Sequence, residues 1–319
     1  MCATTSSLKQ IPAVLGQGEL EDPSPANDGK SQPRPPAVPP YTVVITAHPI
    51  PSHPSLEHIE RTMDSLELLN PKPAHVILAC DYPQKLHEKY RQFKEAFRVR
   101  YPHVEIVAKD SPWEGICGNV KSGFGAAKTE FILTVQHDFP FVRSVDIGGG
   151  IRVIESHESV KYIRFNINDN KCMRITCDKL DCGFYRERRF DIEDSTNGTS
   201  GCMALVQTVC WSDNNHLTTK EHYNKVIFPE CEKRGKPVSM EAVMEVFQNR
   251  ESHNMTGTFI YGPLDFGNQL KHTDGSEVPW RKANARKKPD PAHRDIMEGY
   301  DYSQTSQNEP FIPTKCIRG

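Results

Sequence analysis

No apolar run in this chain approaches the roughly 20 residues a helix needs to cross a bilayer, and the first 20 residues lack the apolar stretch of a secretory signal. The expectation is a cytoplasmic protein without an integral membrane segment. Net charge is almost absent as well. At −2, with a pI near 6.7, the chain has no global attraction for nucleic acid or an anionic membrane surface, so any affinity for phosphate must come from a local site. No nucleic-acid partner is expected. Cysteine is present ten times but without the C-x-x-C spacing of a zinc site or the density of a disulfide framework; Cys172, Cys177, Cys182 and Cys202 are only loosely grouped. The thiols read as reduced.

What is present falls into three stretches. Residues 1–40 hold eight of the 25 prolines and read as an extended or disordered lead-in, either a linker or a segment for a proline-reading partner. Residues 281–319 begin with a basic run and continue polar and proline-rich, as a solvated tail. Between them, residues 41–280 alternate apolar β-branched runs with amphipathic ones. Strands are predicted at Tyr41–Thr46, Val76–Cys80, Val104–Val107 and Phe131–Val135, with helices after Ser55 and over Leu86–Phe97. That alternation predicts an α/β fold with a mostly parallel central sheet and helices on both faces. The second half is less regular. Strands are expected at Val160–Phe165 and Met203–Thr208, a charged loop at Asp178–Asp194, and helices over Lys220–Arg234 and Met240–Phe247.

The stretch from Gly118 to Phe141 carries the strongest functional signal. Small residues at Gly123, Gly125, Ala126 and Ala127 precede the strand Phe131–Val135, which runs out into Gln136-His137-Asp138. In an open α/β sheet, ligands bind beyond the carboxyl ends of the strands, so this tripeptide should face the crevice. An Asp after a strand also serves ordinary turn chemistry. A second acid, Asp81, ends the strand Ile77–Cys80 in the same way.

In order and chemistry these landmarks resemble the GT-A fold glycosyltransferases, particularly family-2-like enzymes that use nucleotide-diphosphate sugars. The likeness covers roughly residues 41–280. It rests on Val43 to Ala47 as the first strand and its turn, Ile77 to Asp81, the segment Asn119 to Ala127, and Gln136-His137-Asp138 where that family has its DxD motif. The resemblance implies an inverting, metal-assisted transfer of a sugar from a nucleotide-sugar donor to a carbohydrate or other hydroxyl acceptor. Thr46, Ala47, Asp81, Asn119, Lys121 and Gln136 would contact the nucleotide. Asp138, with His272 and His137, would hold Mn²⁺ or Mg²⁺ at the diphosphate, where negative charge grows as the glycosidic bond breaks. Gln136 departs from the motif: a neutral amide stands where the first acid belongs.

Inversion also needs a carboxylate to take the acceptor's proton. Glu241, following Pro237-Val238-Ser239-Met240, lies in the region where such a base begins a helix; a carboxylate in a first helical turn also serves the helix dipole. Asp213, in Cys210-Trp211-Ser212-Asp213, is the alternative base. Trp211 beside it would supply a flat wall for a sugar acceptor, or be a buried core residue. Two rival functions remain. A nucleotidyltransferase shares this type of sheet, but Thr46–Ser52 contains neither Gly nor Lys or Arg to cradle a triphosphate. A non-catalytic binding or scaffold protein of the same fold would accommodate Gln136 and the proline-rich start.

Overall fold

The computed structural model describes residues 37–81, 86–108, 115–170, 184–194, 199–234 and 240–273. Its frame is a nine-stranded sheet in the order β4-β3-β1-β5-β10-β7-β11-β9-β8. The strands are β1 (Tyr41–Ala47), β3 (His75–Cys80), β4 (Glu105–Ala108), β5 (Phe131–Gln136), β7 (Tyr162–Arg164), β8 (Arg186–Asp194), β9 (Thr199–Gln207), β10 (His216–Thr219) and β11 (Thr258–Tyr261); β2 (Leu69–Asn70) and β6 (Val145–Asp146) pair separately. The strands β4, β3, β1 and β5 run parallel to one another, as expected. Following the pairings outward, β10 is reversed, β7 and β11 return to the first direction, β9 is reversed and β8 returns. Only β10 and β9 therefore oppose the rest. The carboxyl ends of β1, β3, β5 and β7 share one edge with the start of β10.

Alternation of side chains along the strands sends apolar residues to both faces. On one face Val43, Ile45, Leu78, Leu133 and Val135 pack with Ile59 of α1 (Glu57–Ser65), with Tyr90, Phe93 and Phe97 of α2 (His87–Arg100), and with Ile147, Ile151 and Val153 of α4 (Ile147–Ser156). On the other, Val44, Ile77, Ala79 and Ile132 meet Val120 and Phe124 of α3 (Gly115–Ala126). That face also receives α5, a helical run of Lys220–His222, Tyr223–Ile227 and Phe228–Arg234 whose middle stretch is a π turn, and α6 (Met240–Met244).

Three expectations change. The charged run expected as a loop is, over Arg186–Asp194, the edge strand β8. Buried Phe190 and half-buried Ile192 alternate with exposed charges, a pattern that protects a sheet edge from pairing further. Helix α4 falls where no element was expected. The short strands β10 and β11 were also not foreseen. The proline-rich start up to residue 36, the part of the charged run at 178–183, Pro237–Ser239, and everything from residue 274 onward lie outside the described residues.

The close approach of α3 to the sheet has a measurable consequence. A Cβ on Gly123 would stand 2.3 Å from Val44 Cγ1 and 3.3 Å from Ala79 Cβ, whereas one on exposed Gly125 would meet nothing within 4 Å. Gly123→Ala is expected to destabilise the protein by about 1–3 kcal/mol through overpacking. Gly125→Ala, in contrast, is expected to be neutral or stabilising by up to about 1 kcal/mol, since alanine restricts the unfolded chain and favours helix. The urea denaturation midpoint should fall for Gly123→Ala and hold or rise for Gly125→Ala.

Candidate active site

Three polar groupings stand at the carboxyl edge of the sheet. The first is built around the carbonyl oxygen of Ala47, the last residue of β1. It accepts from the backbone N–H of Asp81 at 3.1 Å, from the Tyr90 hydroxyl at 2.8 Å and from Asn119 Nδ2 at 3.2 Å. One carbonyl thus ties together the tips of β1 and β3, helix α2 and helix α3. Asn119 is buried, and its Oδ1 has no hydrogen-bond partner. Thr46, at the same level, accepts from the backbone N–H of His137 at 3.0 Å and so links β1 to the exit of β5.

The second grouping is that exit. Asp138 is buried, and its carbonyl oxygen accepts from both the N–H (3.0 Å) and the hydroxyl (3.1 Å) of Thr273, which fix its position. Its Oδ2 lies 3.0 Å from His272 Nε2, while Oδ1 has no hydrogen-bond partner. The His272 ring stacks on Phe139 with centroids 4.5 Å apart. Burial works against a charge on Asp138, but the neighbouring imidazoles, His137 and the hydrogen-bonded His272, outweigh it and hold the carboxyl below the usual range. His137 is fully buried, with its carbonyl held by the Thr62 hydroxyl at 2.8 Å. Neither of its ring nitrogens has a hydrogen-bond partner; Nδ1 stands 3.8 Å from Asp138 Oδ1, too far for one. Burial pushes its pKa down, against the opposing charge of Asp138. His48 meets it edge-on at 4.9 Å, and His53 lies 6.3 Å away, stacked on Phe93.

The third grouping joins the two acids singled out as candidate bases. Ser212 Oγ donates to Glu241 Oε1 at 2.5 Å, and Asp213 and Glu241 hydrogen-bond to each other. Burial first, then the charge of Glu241, raises the Asp213 carboxyl well above the carboxylate range. That shift favours the protonated form of Asp213. Glu241 is exposed at the start of α6, while its anchor Ser212 is buried. Gln136, at the end of β5, reaches the same place: its Nε2 lies 3.1 Å from the Asp213 carbonyl oxygen and 3.5 Å from Asp213 Oδ1.

Two candidates are not brought to this edge. Lys121 points from the outer side of α3 to Glu232 of α5 and forms an exposed ion pair there. Its spacing from Asn119 explains this, because residues two apart on a helix do not share a face. Trp211 is 3% exposed and packs on Tyr162 with centroids 5.4 Å apart, so it is core and not a wall open to a sugar. Residues that sequence reasoning passed over are Ser212 and Asn215, both inside the segment that drew attention to Asp213, and His58, whose Nδ1 lies 3.2 Å from the Thr273 hydroxyl.

No protein-family model matches this chain, and no curated protein matches its sequence. Among solved structures it is similar to a crystal structure of GalNAc-T7 with UDP, GalNAc and Mn²⁺, at 12% identity and a TM-score of 0.48 over 74% of this chain and 44% of that one. The chain thus spans less than half the length of that protein. It is also similar to glucosyl-3-phosphoglycerate synthase from Mycobacterium tuberculosis. With Mn²⁺, UDP and glucosyl-3-phosphoglycerate, the match has 10% identity and a TM-score of 0.42 over 77% of this chain and 75% of that one. With Mn²⁺, UDP-glucose and glycerol 3-phosphate, it has 10% identity and a TM-score of 0.43 over 77% and 76%. Among the described residues no helix is long and apolar enough to cross a membrane.

Proposed function

We propose that the region 41–280 is a glycosyltransferase of the GT-A type that moves a sugar from a nucleotide-diphosphate sugar to an acceptor hydroxyl with inversion. The observation that carries this reading is the pairing, at one sheet edge, of a buried carboxylate-imidazole contact with a separate exposed carboxylate. Asp138 and His272 form the first; Glu241, anchored on Ser212 and beside Asp213, is the second. A leaving group that gathers negative charge and an acceptor that must lose a proton call for these two kinds of group in separate places.

In this reading Thr46, Ala47, Asp81 and Asn119 contact the nucleoside at the tips of β1 and β3. Asp138 and His272 would hold a divalent cation, Mn²⁺ or Mg²⁺, with buried His137 behind them. No group of three or more His, Cys, Asp or Glu side chains among the described residues is arranged to hold a metal ion by itself. Two protein ligands nevertheless fit a cation whose other positions belong to phosphate oxygens and water, and Asp138 Oδ1 is a buried acceptor with no hydrogen-bond partner. Such a cation supplies charge that stabilises the departing diphosphate. Glu241 takes the acceptor's proton as the acceptor oxygen bonds to the anomeric carbon, and the bond from that carbon to the diphosphate oxygen breaks on the opposite face. The raised pKa of Asp213 favours its protonated, hydrogen-bond-donating form, so the base is assigned to Glu241.

A thermal-shift panel of nucleotide sugars, each with and without Mn²⁺, tests this. One nucleotide class is expected to raise the melting temperature by about 5–10 °C at a hundredfold excess over its Kd, since a ligand that binds only the native state stabilises by about 2.7 kcal/mol there. The Mn²⁺-dependent part should vanish in Asp138→Asn. A panel in which no donor shifts the protein would refute the assignment.

A further inference from the structure

We propose that Gln136 is a positioning residue for the Glu241 base, acting through Asp213, and belongs to neither the metal site nor the nucleotide site. The inference rests on the glycosyl-transfer reading for what Glu241 does, but the contact it concerns stands apart from that reading. Gln136 occupies the place where a first DxD acid would sit, two residues before Asp138, so a role beside the cation or the nucleotide is the obvious assignment. The geometry points elsewhere. Its Nε2 lies 3.1 Å from the Asp213 carbonyl oxygen and 3.5 Å from Asp213 Oδ1. A backbone carbonyl only accepts, so the amide nitrogen must be the atom that faces Asp213.

The framework around this contact is held by another side chain. Asn215, fully buried, accepts from the backbone N–H of Gln136 through Oδ1 at 2.9 Å and donates from Nδ2 to the carbonyl of Phe139 at 2.8 Å. Asn215's own carbonyl accepts from Phe165 N–H at 2.9 Å. The exit of β5 is therefore clamped to the segment before β10 without help from the Gln136 side chain. What that side chain adds is a donor aimed at Asp213, whose partner is Glu241, whose second anchor is Ser212. The chemistry also explains why an amide stands here. Aspartate at 136 would offer no N–H to the Asp213 carbonyl and would bring a third carboxyl group beside the Asp213–Glu241 pair, where like charges repel. The residue that breaks the DxD pattern is thus the one that lets the acid pair sit beside the strand tip.

Variants Gln136→Ala, Gln136→Asn and Gln136→Asp in the full chain decide the matter, because Asn215 keeps the backbone in place in each. With the donor that the panel identifies, Gln136→Ala is expected to leave Mn²⁺-dependent donor affinity within about twofold while kcat falls about 10- to 100-fold, the range of one lost orienting contact. Gln136→Asp should bind Mn²⁺ no more tightly than the parent and lose at least as much kcat. Gln136→Asn should recover part of what Ala loses. Tighter Mn²⁺ binding by Gln136→Asp, or donor affinity lost tenfold in Gln136→Ala at unchanged kcat, would overturn the proposal. A second measurement needs no donor. The melting-temperature losses of Gln136→Ala and Glu241→Ala should be less than additive in the double variant, because Asp213 links the two side chains. Strict additivity would uncouple Gln136 from the base, and with it remove the proposal, even if the glycosyltransferase reading stood. Sub-additive losses in a protein that binds no nucleotide sugar would instead leave the contact and remove the transfer reading.

Discussion

Glu241→Gln is expected to bind donor as the parent does and to lose transfer by about 10²- to 10⁴-fold, the range for removal of a general base. Asp213→Asn, by contrast, should stay within about tenfold. The difference follows from the proton. Burial and the charge of Glu241 raise the Asp213 carboxyl, which favours the form that donates toward Glu241, and an asparagine amide still donates. Glutamine at 241 keeps an acceptor for Ser212 but has no basicity for the incoming hydroxyl. Measured as kcat and KM on the same donor and acceptor, the two variants separate the roles. The reverse ordering, with Asp213→Asn the more damaged, would move the base to Asp213. Equal transfer by Glu241→Gln and the parent would leave the protein without its assigned base.

The first half of the fold was legible because β1, β3 and β5 are largely buried and read as mainly apolar, β-branched runs, while the edge strand β4 shows through Ile106 and Val107. Each of β1, β3, β4 and β5 lies within a residue of its expected ends. The second half was harder for particular reasons. Helix α4 begins Ile-Gly-Gly-Gly-Ile, and three successive glycines depress helix propensity below recognition. They are tolerated because tertiary packing decides: all three are buried, and a Cβ on Gly150 would stand 2.9 Å from Leu217. Strands β10 and β11 have four residues each, too short for a period to show. At the candidate site, Asp138, His272, Asp213 and Glu241 were all legible as candidates from order and residue type. Their grouping was not. Nothing in the spacing between residues 136 and 213 shows that a Gln amide reaches an Asp carbonyl, since that contact depends on β10 running antiparallel beside β5. Lys121 and Trp211 were misplaced for the opposite reason, because their chemistry suits a site while helix phase and burial take them away from it.

Acidification from pH 7 to 5 is expected to lower the stability of this protein by about 2 kcal/mol for each of three buried histidines. Burial drives the effect at three histidines, holding the pKa of His53 and of His216 at about 3 and that of His222 at about 4. His53 is further disfavoured as a cation by His137, His48 and His58. His216 is fixed in its neutral form: Nδ1 lies 2.6 Å from the Asn214 carbonyl, which only accepts, so Nδ1 carries the hydrogen and Nε2 accepts from the Tyr223 hydroxyl at 2.7 Å. In the unfolded chain each would titrate near 6.5. A folded pKa below the unfolded one means that between about 6.5 and 4 the unfolded state binds protons the native state refuses. Stability is therefore complete above 6.5 and lost as pH falls, at about 2 kcal/mol per histidine by pH 5. Asp213 acts in the opposite sense, because its raised pKa lets the native state keep a proton that the unfolded chain lacks. Asp138 has no part in this window, since a carboxyl held below its ordinary value costs stability only nearer pH 4 and under. Against a typical stability of about 5–15 kcal/mol, such a loss is large. Urea denaturation midpoints at pH 7, 6 and 5 would measure it, and His222→Gln should flatten the dependence by one histidine's share. A midpoint that does not move between pH 7 and 5 would mean that these imidazoles reach water or a counter-charge in the native protein, and that the histidine-rich interior beside the strand tips is not closed.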